Sequence, residues 1–153
     1  MRIRQFEPGD RAAVLQLWHD AGLVRPWNDP ERDLDRKLAD SPWGMLVGVD
    51  GDESGPAESE DVVAVAMVGY DGHRGSIFYL AVDPVRRGRG YGSALMTHAE
   101  ALLLERGCPK LNVSVRAENS QVIGFYADRG YRLEGADHAV SLGLRLIEDG
   151  PRP

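Results

Sequence analysis

Arg87, Gly88, Arg89, Gly90, Tyr91, Gly92 and Ser93 follow an apolar run ending at Val82 and lead into an amphipathic run. Residues of these types, placed between a strand and a helix, suit anion binding. Backbone N–H groups at a helix start lack carbonyl partners and carry the positive end of the helix dipole. Glycines let the main chain come close to a phosphate through dihedrals that other residues avoid. Three phosphate-binding patterns compete for the stretch. The nucleoside-triphosphate loop ends in Gly-Lys-Ser/Thr, and no lysine stands here. The dinucleotide fingerprint G-x-G-x-x-G meets Ser93 at its third glycine. It also expects an acid at the end of a second parallel strand, where "LNVSV" runs into Arg116. The third pattern, R/Q-x-x-G-x-G/A, is satisfied by Arg87 to Gly92. Taken as plain structure, the stretch is a tight strand-to-helix turn with solvated arginines.

Other residues with chemical potential are scattered. Tyr126 stands two helical turns after Asn119 on the same face, as a proton donor or as a core aromatic like Phe125. Asn119 reads as a helix cap. Asp71 and His73 sit in "YDGHRG". A histidine has a suitable pKa for proton transfer, but turn aspartates are common for backbone reasons. "RPWNDP" offers Trp27, Asn28 and Asp29 as a pocket rim, or else Trp27 as a staple and Asp29 as a cap. Cys108, the single cysteine, precedes a proline and reads as a small packing residue. It excludes an internal disulfide and a multi-cysteine zinc site. No spacing of ligands suggests a metal.

The elements that must position these residues are legible from periodicity. "RIRQF" alternates as a strand, and "PGDRAAVLQLWHDAGL" is helical, with Asp10 as its expected cap. "DPERDLDRKLAD" opens a second helix at Pro30. "GMLVGV" reads as a strand. "VVAVAMVGY" and "SIFYLAVDP" flank "DGHRG" as a hairpin. The loop then enters "SALMTHAEALLLERG", a helix ended by Gly107. "KLNVSVR" is a strand, "NSQVIGFYADRG" a helix ended by Gly130, and "YRLEG" with "AVSLGLRLI" a closing hairpin. The expected fold class is α/β, one domain over residues 1–153, with a mixed, mostly antiparallel sheet flanked by helices in the order βααβββαβαββ.

The bulk numbers set limits. A chain of 153 residues, 42% hydrophobic and 27% charged, is one ordinary globular domain. The net charge of −6 is local, because residues 50–61 hold six acids and no base and leave a neutral remainder. That loop reads as solvated, and the remainder lacks the broad basic face that nucleic acid requires. No apolar run approaches the roughly 20 residues of a membrane helix, so no membrane partner is expected. "MRIRQFEPGD" lacks a signal-peptide core, which points to the cytoplasm.

The loop is joined by two further motifs. "NSQVIGFYADRGY" runs from an Asn to Phe-Tyr and on to Gly-Tyr, and "YLAVDP" stands just ahead of the loop. Together they resemble the GCN5-related N-acetyltransferases (GNAT), and the element order fits the whole chain. "RPWNDP", "GYDGHRG" and "SLGLRLIED" further resemble the bacterial YpeA-like subgroup. The resemblance implies acetyl-coenzyme A as co-substrate and no metal. Amides from Gly88 to Ser93, including Gly90, Tyr91 and Gly92, would bind its pyrophosphate, with Arg86, Arg87 and Arg89 adding positive potential. Main-chain groups of Leu80, Ala81 and Val82 would pair with pantetheine as with an added strand and stabilise the oxyanion. Asn119 would lie on the cofactor arm, and Tyr126 would be the general acid for the departing thiolate. Trp27, Asn28 and Asp29 would shape the acceptor pocket.

The base is open. Ser114 stands where relatives that act on protein N-termini carry a glutamate, leaving His73, Asp71 or a relay through Tyr79. The implied activity is direct acetyl transfer to a primary amine of a small molecule or peptide. The alternative is an acyl-CoA-binding sensor with little catalysis. The terminal hairpin could pair across a homodimer, and no nucleic acid is expected as partner.

Overall fold

The stretch Val63–Val68 is buried almost throughout, as a strand covered on both faces must be. It belongs to β3 (Asp61–Tyr70), the middle strand of a five-stranded sheet ordered β1-β2-β3-β4-β5. The other strands are β1 (Arg2–Gln5), β2 (Met45–Asp50), β4 (Gly75–Val82) and β5 (Leu111–Val113). The helices are α1 (Arg11–Asp20), α2 (Pro30–Asp40), α3 (Tyr91–Glu105) and α4 (Ser120–Asp128). The computed structural model describes residues 1–51, 60–133 and 147. Within them the order is βααβββαβα, as expected from the sequence. The closing hairpin from residue 134 onward, and most of the acidic loop, lie outside the described residues.

The chain forms two compact units, one over Met1–Val113 and one beginning at Ser114. In the first, β1 to β4 are antiparallel neighbours, and β5 joins β4 in parallel after the α3 crossover. One face of the sheet is covered by α1 and α2. Val14, Leu17, Trp18 and Leu34 share a core there with Val47, Val49, Val65 and Ala81. The other face takes α3, through Leu95, Met96, Ala99 and Leu103. In the second unit, Asn119 caps α4 by accepting the Val122 amide at 3.2 Å. Gly130 ends that helix with a φ of 89°.

Asp10 stands just before α1, but its carboxylate makes no cap bond. It is taken instead by the Arg4 guanidinium, at 2.7 and 2.9 Å, and by the Glu7 amide at 2.7 Å. A two-pronged charged partner holds it more strongly than a neutral amide would. The turn Pro42–Gly44 is packed just as closely. A Cβ on Gly44 would lie 2.0 Å from the Val68 carbonyl oxygen and 2.9 Å from the Lys37 amine. Lys37 is almost wholly buried, donating to the Val68 carbonyl and, at 2.6 Å, to Ser41 Oγ. Burial lowers the pKa of that amine below the usual lysine range.

Two irregularities prepare the site. Along β3 and β4 the register passes from Val65↔Ala81 to Met67↔Phe78, so Ala66 alone faces both Tyr79 and Leu80. This is a β-bulge in β4, which bends the strand. Tyr79 in it has a φ of 50° and is the one non-glycine with positive φ among the described residues. The second irregularity is the length of β5. Its ladder with β4 covers only Gly75, Ser76 and Ile77. Beyond that point Leu80–Val82 have β3 on one side and no strand on the other among the described residues.

Candidate active site

β4 leads directly into the glycine-rich loop. Asp83 accepts from the Val85 amide at 3.0 Å and starts the short helical turn Pro84–Arg86. Gly88 and Gly90 follow with φ of 77° and 79°, both in the left-handed region. A Cβ at either would meet nothing within 4 Å, so their dihedrals and not crowding call for glycine. Gly92 lies inside α3 and needs no such freedom. The ladder of α3 begins with the Ala94 amide on the Gly90 carbonyl at 2.9 Å. The amides of Tyr91 and Gly92 precede it, at the positive end of a 15-residue helix.

The arginines of the loop divide by role. Arg87 and Arg89 are exposed and have no ion-pair partner among the described residues. Arg86 does not supply the free positive charge expected of it. It is held by Asp61 at 3.0 Å, Asp83 at 3.7 Å and Asp50 at 4.0 Å. Three carboxylates around one guanidinium leave little field for a ligand. Tyr91 is tied down as well, its hydroxyl donating to Asp50 at 2.7 Å. That bond leads the interactions that hold the Asp50 carboxyl below its usual range.

Beside the bulge a cleft of about 820 Å³ opens between α2 and the β3–β4 hairpin. Met67 and Phe78 give it an apolar floor, Phe78 being 54% exposed. α2 supplies Asp33, Arg36, Lys37 and Asp40, and the hairpin supplies Tyr70, Asp71 and Arg74. Of the expected acceptor-side residues, Asn28, Asp71 and Tyr79 line this cleft, while Trp27, Asp29 and His73 do not. Asp29 caps α2, accepting the amides of Glu31 at 3.0 Å and Arg32 at 3.2 Å. Asp71 serves its own turn, one oxygen accepting the amides of His73 at 2.8 Å and Arg74 at 2.7 Å. Those bonds hold its carboxyl below the usual range and make it a weaker base.

Tyr79 is placed differently from the other candidates. Its ring lies 4.2 Å from that of Trp18, and its hydroxyl donates to Asp33 at 2.7 Å. Asp33 was not singled out from the sequence. Its signal was spacing: Asp33, Lys37 and Asp40 recur at helical intervals in "DPERDLDRKLAD" and so share one face.

In the second unit Tyr126 is buried among aromatic rings, 5.1 Å from Phe125 and 5.4 Å from Tyr131. Burial pushes its phenol up from the ordinary value, against a smaller pull from Arg129. Among the described residues no group of three or more His, Cys, Asp or Glu side chains could hold a metal ion. No described helix is long and apolar enough to cross a membrane.

Known proteins share both the sequence and the fold. The family model of the acetyltransferase (GNAT) family matches residues 12–131. A protein named acetyltransferase from Yersinia enterocolitica is 46% identical over 149 residues, covering 97% of this chain and 98% of its own. Among solved structures, Ard1 from Thermoplasma volcanium superposes with a TM-score of 0.72 at 24% identity, over 88% of this chain and 84% of that one. The NatC complex bound to Gag peptide and CoA gives a TM-score of 0.70 at 21% identity, over 84% and 82%. The chain therefore belongs to the GNAT family and is an acetyltransferase that draws its acetyl group from acetyl-coenzyme A.

Proposed function

We propose that the protein transfers acetyl directly from acetyl-CoA to a primary amine held in the cleft between α2 and the β3–β4 hairpin. The observation that carries this reading is the adjacency of three features on one strand. Among the described residues β4 has an open edge at Leu80–Val82, a bulge at Tyr79, and the left-handed glycine turn at its end. An extended pantetheine arm fits the edge as an added strand. The pyrophosphate fits the amides of Gly88 to Ser93, and Arg87 and Arg89 meet its charge. Asn119 is assigned to the cofactor arm in addition to its cap.

Leu80 and Ala81 are assigned to the thioester carbonyl, where an N–H stabilises the oxyanion of the tetrahedral intermediate. The amine nitrogen forms the new bond to the carbonyl carbon, the C–S bond breaks, and the thiolate takes a proton. Tyr126 is assigned that proton, by its place in the Phe-Tyr motif and by the burial that keeps its phenol protonated. For the proton that the amine gives up as it attacks, a relay through Tyr79 to water is favoured over Asp71, whose carboxylate is occupied by its turn, and over His73, which lies outside the cleft. Asn28 borders the amine, with Phe78 beneath it. We further propose that the two units act as one catalytic domain, a reading supported by a family model that spans both.

A thiol-release assay tests the proposal. Acetyl-CoA is offered with tetra-alanine, Nα-acetyl-lysine amide or a small amino acid, and the acetylated product is weighed by mass spectrometry. Thiol release matched mole for mole by acetylated amine is expected. Tight acetyl-CoA binding with no thiol release from any amine would favour a sensor instead.

A further inference from the structure

We propose that Asp33 is a positioning residue of the transfer reaction. From α2 it fixes the phenol of Tyr79, and through it the bulge that presents Leu80 and Ala81 to the thioester. The inference rests on the donor geometry proposed above and adds to it a side chain from the opposite wall of the cleft.

A left-handed backbone is unfavourable for any residue with a Cβ, and more so for a bulky one. It persists only where the surroundings over-determine it. At Tyr79 two side-chain contacts contribute to this. The ring rests on Trp18, which is fully buried, and the hydroxyl is held by Asp33 at 2.7 Å. Trp18 belongs to the core, so the first contact is fixed. Asp33 is fixed through α2, whose first turn is closed by the Asp29 cap and by the Asp33 amide on the Asp29 carbonyl at 3.0 Å. The other Asp33 oxygen takes Arg36 at 3.3 Å, which leaves the first for Tyr79.

The phenol is therefore clamped between a helix of the acceptor wall and the core beneath the donor strand. With the side chain clamped, the peptide groups after Tyr79 keep one orientation. Those are the groups assigned to the thioester carbonyl. An acid in the first turn of a helix is also what the helix dipole favours. A role confined to the dipole, however, would not reach the thioester.

The test needs no acceptor. Isothermal titration calorimetry compares CoA with acetyl-CoA on the full chain, for the wild type, Tyr79→Phe, Asp33→Ala and the double variant. The acetyl carbonyl is the group that distinguishes the two ligands at the bulge. The wild type is expected to prefer acetyl-CoA by about tenfold, the worth of one ordinary hydrogen bond. Each single variant should reduce that preference to about threefold or less, with CoA affinity held within about twofold. The double variant should lose no more than either single one, as expected of two ends of one interaction. Tyr79→Phe keeps the ring on Trp18 and removes one oxygen, so it decides the matter alone if Asp33→Ala folds poorly. A preference retained in Tyr79→Phe, equal affinities in the wild type, or losses that add in the double variant would each overturn the proposal. A parallel loss of CoA affinity in Tyr79→Phe would overturn it too, by showing a general structural role. A wild type that binds neither ligand would overturn the donor site itself.

Discussion

Tyr126, the proposed general acid, shows how one environment bears on both a proposed role and a pH response. A buried phenol loses more on ionising than an exposed one, so it holds its proton until a strong base such as a thiolate appears. Tyr126→Phe is expected to lower turnover about 100-fold, the lower range for a lost acid, with acetyl-CoA affinity unchanged. Steady-state kinetics beside calorimetry checks both halves. The same shift is a stability statement. The folded phenol is raised above the unfolded value of about 10, so between the two the folded chain binds more protons. Stability is therefore lost as pH rises from about 10 through the folded value, and this contribution is fully present below about 10. Urea midpoints from pH 8 to 11 should fall at the alkaline end, and fall less in Tyr126→Phe.

At the scale of elements, glycines mark where a side chain would break the arrangement, for two different reasons. Gly90 has open space around it but a φ of 79° at the start of α3. Gly90→Ala is expected to cost about 1–2 kcal/mol of backbone strain and to weaken CoA binding about tenfold, measured by calorimetry. Gly44 is a matter of crowding, with the Val68 carbonyl 2.0 Å from any Cβ. Gly44→Ala should destabilise by about 2 kcal/mol, a fall of roughly 4–8 °C in Tm by calorimetric scanning, without a selective effect on CoA. The first kind of glycine was legible in the sequence, because a run of alternate glycines before an amphipathic helix has few other uses. The second was not, since Gly44 looks like any glycine ahead of a strand. The strand and helix order was likewise legible, being written in periods of two and 3.6 residues. Asp33 was hidden among acids and bases that all suit a solvated helix face. Only the hydrogen bond from Tyr79, 46 residues along the chain and inside the bulge of β4, singles it out. Arg86 failed in the opposite sense. Three acids from separate elements converge on a residue that local sequence showed as one of three equal arginines.

For the whole molecule, the family match fixes the donor, and the cleft is the proposed place of the acceptor. Its charges come from both signs, Asp33 and Asp40 against Arg36 and Arg74, over an apolar floor. Phe78→Ala should raise KM for the amine several-fold and leave KM for acetyl-CoA unchanged, read from initial rates with either substrate varied. The edge of β4, open among the described residues, has another consequence. β5 closes the ladder along three residues of β4 and leaves the rest to whatever pairs with it. On the proposed geometry the donor finishes the sheet, so its binding energy is also folding energy. Donor at 100 times its dissociation constant would add about 2.7 kcal/mol to stability. The enzyme would then persist in proportion to its fuel, and fall to proteases first wherever acetyl-CoA runs short.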